Sequence, residues 1–408
     1  MLKRIHVEQL RLGMYVHELC GSWMEHPFWR SAFLLDDPKD LRTLLSTGIK
    51  EVWIDTNKGL DIAGGKTQER VSVEVEATLA QADIVSKKQQ RIDIAQEAAR
   101  AVIICSKSKQ AVTSMFQEAR MGKALNAADA VSIVEEISTS VMRNPGALIS
   151  LARLKDKDDY TYMHSVAVCA LMVALARQMG LDDEQTRQAG LAGLLHDIGK
   201  MIIPGDILNK PGKLTDTEFD VVKSHPVEGH KLLRGSEGIH DVALDVCLHH
   251  HEKIDGRGYP DRLKDTEISL YAKMGAVCDV YDAVTSNRPY KNGWEPAESI
   301  SKMAEWNGHF DKVVFHAFVK SIGIFPIGSL VRLGSDRLAV IIEQTEKSLL
   351  TPIVNVFFSI KSNGRIVPEM LDLSKPACKD RIVSHEDPEK WGIHDLHELW
   401  SGLPATHW

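Results

Sequence analysis

The sequence predicts a mainly α protein: a helical bundle, preceded by a small mixed α/β N-terminal domain and followed by a short β appendage. Three observations carry this. From Ala127 to about Ile322, apolar residues recur at helical spacing, as in Val131, Val134, Ile137, Val141 and Met142. Before it, Met1–Gln9 and Leu12–Leu19 alternate in strand fashion around Gly13. After Phe325, short runs at Val331–Leu333, Leu338–Ile342 and Ile353–Phe358 are separated by turns at Gly334-Ser335 and Asn363-Gly364. The expected division is 1–64 for the first domain, 65–124 for a helical connector, 125–324 for the bundle, and 325–408 for the appendage and tail.

Composition bounds the function. The 408 residues are 44% hydrophobic and 26% charged with a net charge of −7, which leaves ample core and argues against a nucleic acid polymer as partner. No apolar run approaches about 18 residues, so no membrane span is expected. The six cysteines form no C-x-x-C pair, and Cys169, Cys247 and Cys278 lie in apolar helical runs. They read as buried thiols of a reducing compartment, and a cytoplasmic location follows.

In the first domain, Pro38 to Ser46 reads as a helix and Ile49–Ile54 as a strand. Trp23, Phe28, Trp29 and Phe33 form either a small core or an aromatic surface for a ligand. Asp61 to Arg70, with Gly64-Gly65, reads as a linker. Val71 to Gly122 is charged and helix-prone, with Val71, Val75, Leu79 and Ala82 on one face and Ile92, Ala95, Ala98 and Ala99 continuing it. That stretch is a signalling helix, a dimer contact or a packed hairpin.

In the bundle, Arg143-Asn144-Pro145 ends a helix because proline disfavours helical geometry in the residue before it. Tyr160 to Met179 is the next helix. Gln188 to Leu195 is a buried one, with Gly199 suited to a left-handed position past its end. Thr215 and Glu218 make a capping box for a helix running to about Leu233. Asp241 to His251, Ile268 to Ser286, Pro296 to Trp306 and Asp311 to Ile322 complete the set. Trp391 to Trp408 reads as a poorly ordered tail.

The chemistry is concentrated in the bundle. His164, His196, Asp197, His225, His249, His250, His251, Glu252, Asp279 and Asp282 supply imidazoles and carboxylates near helix ends. Three consecutive histidines are hard to explain as packing, since each needs a partner when buried. Mixed nitrogen and oxygen donors suit divalent iron, manganese or zinc and argue against calcium. A carboxylate can bridge two ions, and such a pair can hold a hydroxide and clamp a phosphoryl oxygen. Lys200 lies four residues after His196 and offers a cation to phosphate. Gly256 and Gly258 permit close backbone approach in the loop 251–260, and Tyr259 could stack on a base. Arg288 and Lys291 form a basic cluster placed to meet phosphate.

These residues fall into a recognisable order. Tyr160-Thr161-x-x-His164-Ser165, His196-Asp197-Ile198-Gly199-Lys200, Lys210-Pro211-Gly212-Lys213-Leu214-Thr215 and His225-Pro226-x-x-Gly229 come first. His250-His251-Glu252-x-x-Asp255-Gly256-x-Gly258-Tyr259-Pro260, Asp279-x-Tyr281-Asp282-Ala283 and Arg288-Pro289-Tyr290 follow. Over about 125–322 the chain resembles the HD-GYP domain, the bacterial cyclic di-GMP phosphodiesterase branch of the HD superfamily, behind an accessory domain.

The resemblance implies an HD-superfamily helical fold and hydrolysis of cyclic di-GMP to pGpG, and onward to GMP if the linear form rebinds. That would lower the messenger, with less biofilm and more motility. It implies that His164, His196, Asp197 and Asp279 bind one metal. Asp197, His225, His250 and His251 would bind a second, with iron or manganese as the ions. Some relatives carry a glutamate where Tyr160 stands and hold a third ion, so a binuclear site is expected. Asp197 and Lys200 would act in catalysis, and Lys200, Tyr259, Arg288 and Lys291 on the substrate. His249 is expected at the periphery, and Glu252 as support for a ligand. A homodimer and contact with diguanylate cyclase proteins are further expectations. The alternatives are a cyclic di-GMP-binding or protein-interaction module of weak activity, and an HD phosphohydrolase of another nucleotide.

Overall fold

The computed structural model describes residues 1–21, 32–81, 94–153, 160–210, 212, 214–286, 293–345 and 348–403, with the backbone alone at 153 and 160. Strands β1 (Leu2–His6), β2 (Tyr15–Cys20) and β3 (Phe33–Leu34) come first. Helix α1 (Pro38–Ser46) and strands β4 (Glu51–Asp55) and β5 (Lys66–Thr67) complete an antiparallel sheet of order β3-β2-β4-β1-β5. Asp37 caps α1 by accepting from the Lys39 N–H at 2.7 Å, with Pro38 at the first helical position. Ile5, Val16, Leu44 and Ile54 form the heart of this domain's own core.

The expected linker at 61–70 contains β5 and the start of α2 (Gln68–Ala80), because Lys66 and Thr67 pair with β1. Phe33 is buried in β3, whereas Trp23, Phe28 and Trp29 lie outside the described residues, as do Ala82 and Ile92.

Helices α3 (Ile94–Arg120), α4 (Ala127–Arg143), α5 (Pro145–Arg153) and α6 (Tyr160–Gln178) begin the bundle. The inward face of α3 differs from the expected one. Ala95 and Ala99 are exposed, while Ala98, Ala101, Val112, Phe116 and Ala119 are buried. Glu97 turns inward because Arg143 grips it with two bonds of 2.6 and 2.7 Å and Ser140 adds a third of 2.7 Å. Helix α3 therefore packs its apolar face on α4, α5 and α6 within the chain. Met142 falls off the inward face of α4 and is exposed. Asn144 is extended ahead of Pro145, as expected, but the proline then opens α5, a helix not anticipated.

Helix α6 is buried from Met163 to Ala176, so it is apolar all round and central to the bundle. It packs on α7 (Asp183–Leu195) and on α12 (Leu270–Thr285). Between them run α8 (Gly205–Leu208), α9 (Asp216–Val222), α10 (His225–Arg234) and α11 (Asp241–His249).

The capping box of Thr215 and Glu218 forms, but its helix stops at Val222. A new helix begins at His225, because Pro226 lacks the N–H that a continuous helix needs and suits a first turn instead. Gly199 is not left-handed. It lies in a 3-10 turn, and a Cβ there would collide with the carbonyl oxygen of His225. Its smallness lets α10 close on the end of α7.

Helices α13 (Pro296–Glu305) and α14 (Lys312–Ile322) follow. The second sheet holds β6 (Leu330–Leu333), β7 (Arg337–Glu343), β8 (Ile353–Ser359), β9 (Gly364–Asp372) and β10 (Ile382–His385), in the order β10-β6-β7-β8-β9. The expected tail instead forms α15 (Leu396–Ser401), whose Trp400 is buried in the main core. Among the described residues, no helix is long and apolar enough to cross a membrane.

Candidate metal centre

The ends of α7, α10 and α11 and the bodies of α6 and α12 converge on Asp197. His164 comes from α6, His196 ends α7, and Asp197 follows it. His225 opens α10, His250 and His251 follow α11, and Asp279 comes from α12. All seven side chains are at most 8% exposed. Their donor atoms form two groups, His164, His196, Asp197 and Asp279 in one and His225, His250 and His251 in the other, each with its atoms within 4.8 Å of one another.

Asp197 stands between the groups. Its Oδ2 lies 3.3 Å from His164 Nε2 and 3.4 Å from His196 Nε2. Its Oδ1 lies 3.2 Å from His225 Nε2 and 3.8 Å from His250 Nε2.

The other ring nitrogens are committed elsewhere. His164 Nδ1 donates to Asp282 Oδ2 at 2.6 Å, and His196 Nδ1 to the Gly193 carbonyl at 2.8 Å. His225 Nδ1 donates to the Val222 carbonyl at 2.7 Å, and His250 Nδ1 to the Val246 carbonyl at 3.0 Å. With Nδ1 carrying the proton, each Nε2 presents a lone pair to the carboxylates and to its neighbours; His225 and His250 bring theirs within 3.4 Å. Four buried atoms here make no hydrogen bond: His196 Nε2, Asp197 Oδ1, His251 Nε2 and Asp279 Oδ2. Lone pairs facing lone pairs in a dry site need cations between them. The donor set of imidazole and carboxylate fits divalent metal.

Electrostatics separate the groups. Burial opposes a charge on His196, but Asp197 and Asp279 outweigh it and push the ring up to about 10. His164 is raised in the same way against its burial. His250 goes the other way, to about 3, through burial and the charge of His196. Burial and His250 hold His251 well below its ordinary value. Asp197 stays well below the carboxylate range despite burial, because Lys200 and His196 face it.

Lys200 pairs directly with Asp197 Oδ2. Tyr259 lies with its ring stacked on that of His251, centroids 4.7 Å apart and planes 28° apart. A Cβ on Gly258 would collide with the Glu252 backbone, which is why the loop needs glycine there. Arg288 and Lys291 lie outside the described residues, and so does the Tyr160 side chain.

Glu252 supports no ligand directly. It accepts from the backbone N–H groups of Asp261, Arg262 and Leu263 at 2.7, 3.0 and 3.0 Å, and so pins the far end of the loop. His249 stands apart from both groups, between Asp245 at 2.8 Å and Asp261 at 3.2 Å. Asp282 is the residue whose task the sequence did not reveal. Its spacing, three residues past Asp279 on one helix, was the available signal.

Two family models match, one described as "HD domain" over residues 144–314 and one as "Domain of unknown function (DUF3391)" over residues 2–130. The fold is thus that of an HD-domain protein. Over 407 residues the chain is 56% identical to cyclic di-GMP phosphodiesterase PA4108 of Pseudomonas aeruginosa, covering 100% of this chain and 97% of that one. The chain belongs to the same family, the HD-GYP branch of the HD superfamily with an accessory domain ahead of it.

Cyclic di-GMP phosphodiesterase response regulator RpfG of Xanthomonas campestris is 48% identical over 29% of this chain and 32% of its own. The 3'3'-cGAMP-specific phosphodiesterase 1 of Vibrio cholerae is 35% identical over 40% of this chain and 38% of its own. Among solved structures, Bd1817, a HDG"Y"P protein from Bdellovibrio bacteriovorus, aligns over 78% of this chain and 98% of its own with a TM-score of 0.46 and 18% identity.

Proposed function

We propose that this chain is a metal-dependent phosphodiesterase that hydrolyses cyclic di-GMP to pGpG. The observation that carries the reading is Asp197, with its two oxygens facing two separate sets of imidazole nitrogens. The full-length likeness to PA4108 supplies the substrate.

In this reading His164, His196, Asp197 and Asp279 hold one divalent ion, and Asp197, His225, His250 and His251 hold another, iron or manganese suiting the donors. Ions so held supply Lewis acidity to a phosphodiester and lower the pKa of water. The chain's own groups do the rest. Asp282 and the backbone carbonyls fix the rings of His164, His196, His225 and His250 with Nε2 facing inward. Lys200 keeps Asp197 ionised and offers its ammonium to a non-bridging phosphate oxygen. Tyr259 walls the site on the His251 side, and Arg288 and Lys291 hold the second phosphate. The buried thiols suit a reducing cytoplasm. The homodimer and the diguanylate cyclase partner rest on family resemblance alone.

The test is turnover of cyclic di-GMP and of 3'3'-cGAMP by protein purified without oxygen, with metal content measured on the same sample. Cyclic di-GMP cleaved in preference, in proportion to metal, supports the reading. Preference for 3'3'-cGAMP would move the chain to the specificity of the Vibrio relative. No cleavage of either by loaded protein would leave a binding module.

A further inference from the structure

The loop that follows His251 is held at both ends, and the two anchors belong to different domains. Glu252 pins residues 261–263 from within the bundle. The turn at 254–257 is held from outside. Asp255 Oδ1 accepts from the Arg257 N–H at 3.0 Å, which closes the turn ahead of Tyr259. Its other oxygen, Oδ2, pairs with the ammonium of Lys50, the residue just before β4 of the N-terminal sheet.

The surroundings leave this pair little freedom. The N–H groups of Ile254 and Asp255 donate to the carbonyls of His309 and Gly308 at 3.3 and 3.1 Å. Gly308 has φ +79°, and a Cβ there would lie 2.7 Å from Lys50 Nζ and 3.0 Å from Asp255 Oδ2. The Lys50 and Asp255 side chains are 30% and 16% exposed, so the pair is partly desolvated.

The sheet that carries Lys50 is itself docked. Arg4 is 4% exposed, bonds Glu51 at 2.6 Å and donates to the Glu305 carbonyl. Lys302 pairs with Glu18 at 2.5 Å, and Asn307 donates to Glu51 at 3.3 Å. Those contacts fix the N-terminal domain on residues 302–307. The Lys50 contact continues past them onto the loop that carries Tyr259 to His251.

We propose that the N-terminal domain serves as a positioning domain for the catalytic loop: Lys50, acting through Asp255, holds the turn that keeps Tyr259 stacked on His251 and so sets the substrate side of the site. Lys50 is a positioning residue in this scheme. Its kinetic consequence rests on the phosphodiesterase reading; its structural consequence does not.

The experiment compares full-length, metal-loaded wild type with Lys50→Met, Lys50→Arg and Asp255→Asn by amide hydrogen exchange and by steady-state kinetics on cyclic di-GMP. In Lys50→Met and Asp255→Asn, amides 254–259 should exchange about fivefold faster, the scale of one partly buried ion pair. Amides 261–263, still held by Glu252, should not change. KM should rise about as much, with metal content unaltered, and Lys50→Arg should restore both.

Unchanged exchange at 254–259 in Lys50→Met would overturn the inference whatever the enzyme does. So would acceleration spread equally over β1 and β4, which would mean general undocking. Faster exchange in a protein whose wild type cleaves neither nucleotide would sink the phosphodiesterase reading and leave the positioning role standing.

Discussion

On one side of Asp197 the imidazole Nε2 atoms face a second carboxylate, Asp279; on the other they face one another. His164 meets Asp279 at 3.0 Å and Asp282 at 2.6 Å, while His225 and His250 turn their Nδ1 atoms to Val222 and Val246. The first side therefore gathers negative charge and draws protons when no metal is there. On the second side the buried rings of His250 and His251 reject protons. One carboxylate, Asp197, joins an acidic half-site to an imidazole half-site, and the difference comes from where the helices end. Helices α9 and α11 end at the second side, and their last turns offer the carbonyls of Val222 and Val246 as partners.

The strongest way to break this comparison is to remove what the two sides share. Asp197→Ala should cost about 10³-fold or more in turnover and empty both half-sites, because each loses an oxygen and their common charge. Metal analysis together with circular dichroism checks this. A folded variant that keeps its full metal content would show that Asp197 joins nothing.

Removing one side at a time is the next largest effect. His164→Ala should spare metal on the imidazole side, and His225→Ala should spare it on the acidic side. If the site holds two ions as proposed, each variant should retain about one ion per chain and lose most activity, because a pair of ions would clamp the phosphoryl group together. If either substitution strips all metal, the half-sites are not separable.

Asp282→Asn probes the acidic side alone. The carboxamide can still accept from His164 Nδ1 but brings no charge, so metal affinity on that side should fall by about 10- to 100-fold. Affinity on the other side should hold. Titration of metal into the stripped variant, followed by competition with a chelator, separates the two.

Much of this site is legible in the sequence alone. His196-Asp197, the histidine triplet and Asp279 lie in short contiguous motifs whose spacing survives translation into helix ends. What cannot be read there depends on distant pairs. Glu97 looks like a surface residue until Arg143 arrives from another helix. Gly199 invites a left-handed reading, but its reason is the carbonyl of His225, brought close by packing. The break between α9 and α10 is signalled by Pro226 but masked by the capping box, which promises one long helix. Lys50 and Asp255 carry no local pattern, so their meeting belongs wholly to how the domains dock.

The subtlest consequence lies in the metal-stripped protein, where protons take the place of ions. His196, raised to about 10 by Asp197 and Asp279 against its burial, has a folded pKa above its ordinary 6.5. Its contribution to stability is thus complete below 6.5 and lost as pH rises toward 10. His250, pressed to about 3 by burial and by the charge on His196, has a folded pKa below 6.5. Folding then favours its neutral ring, so stability is full above 6.5 and lost as pH falls toward 3. Denaturation midpoints of stripped protein should peak near neutrality, with the acidic half-site setting the alkaline slope and the imidazole half-site the acid slope. His196→Gln should flatten the first slope and His250→Gln the second, and metal loading should flatten both by replacing the protons. His164 is raised as well, so an alkaline slope left unreduced by both His196→Gln and His164→Gln would mean that the two sides of Asp197 do not differ in charge as their geometry requires.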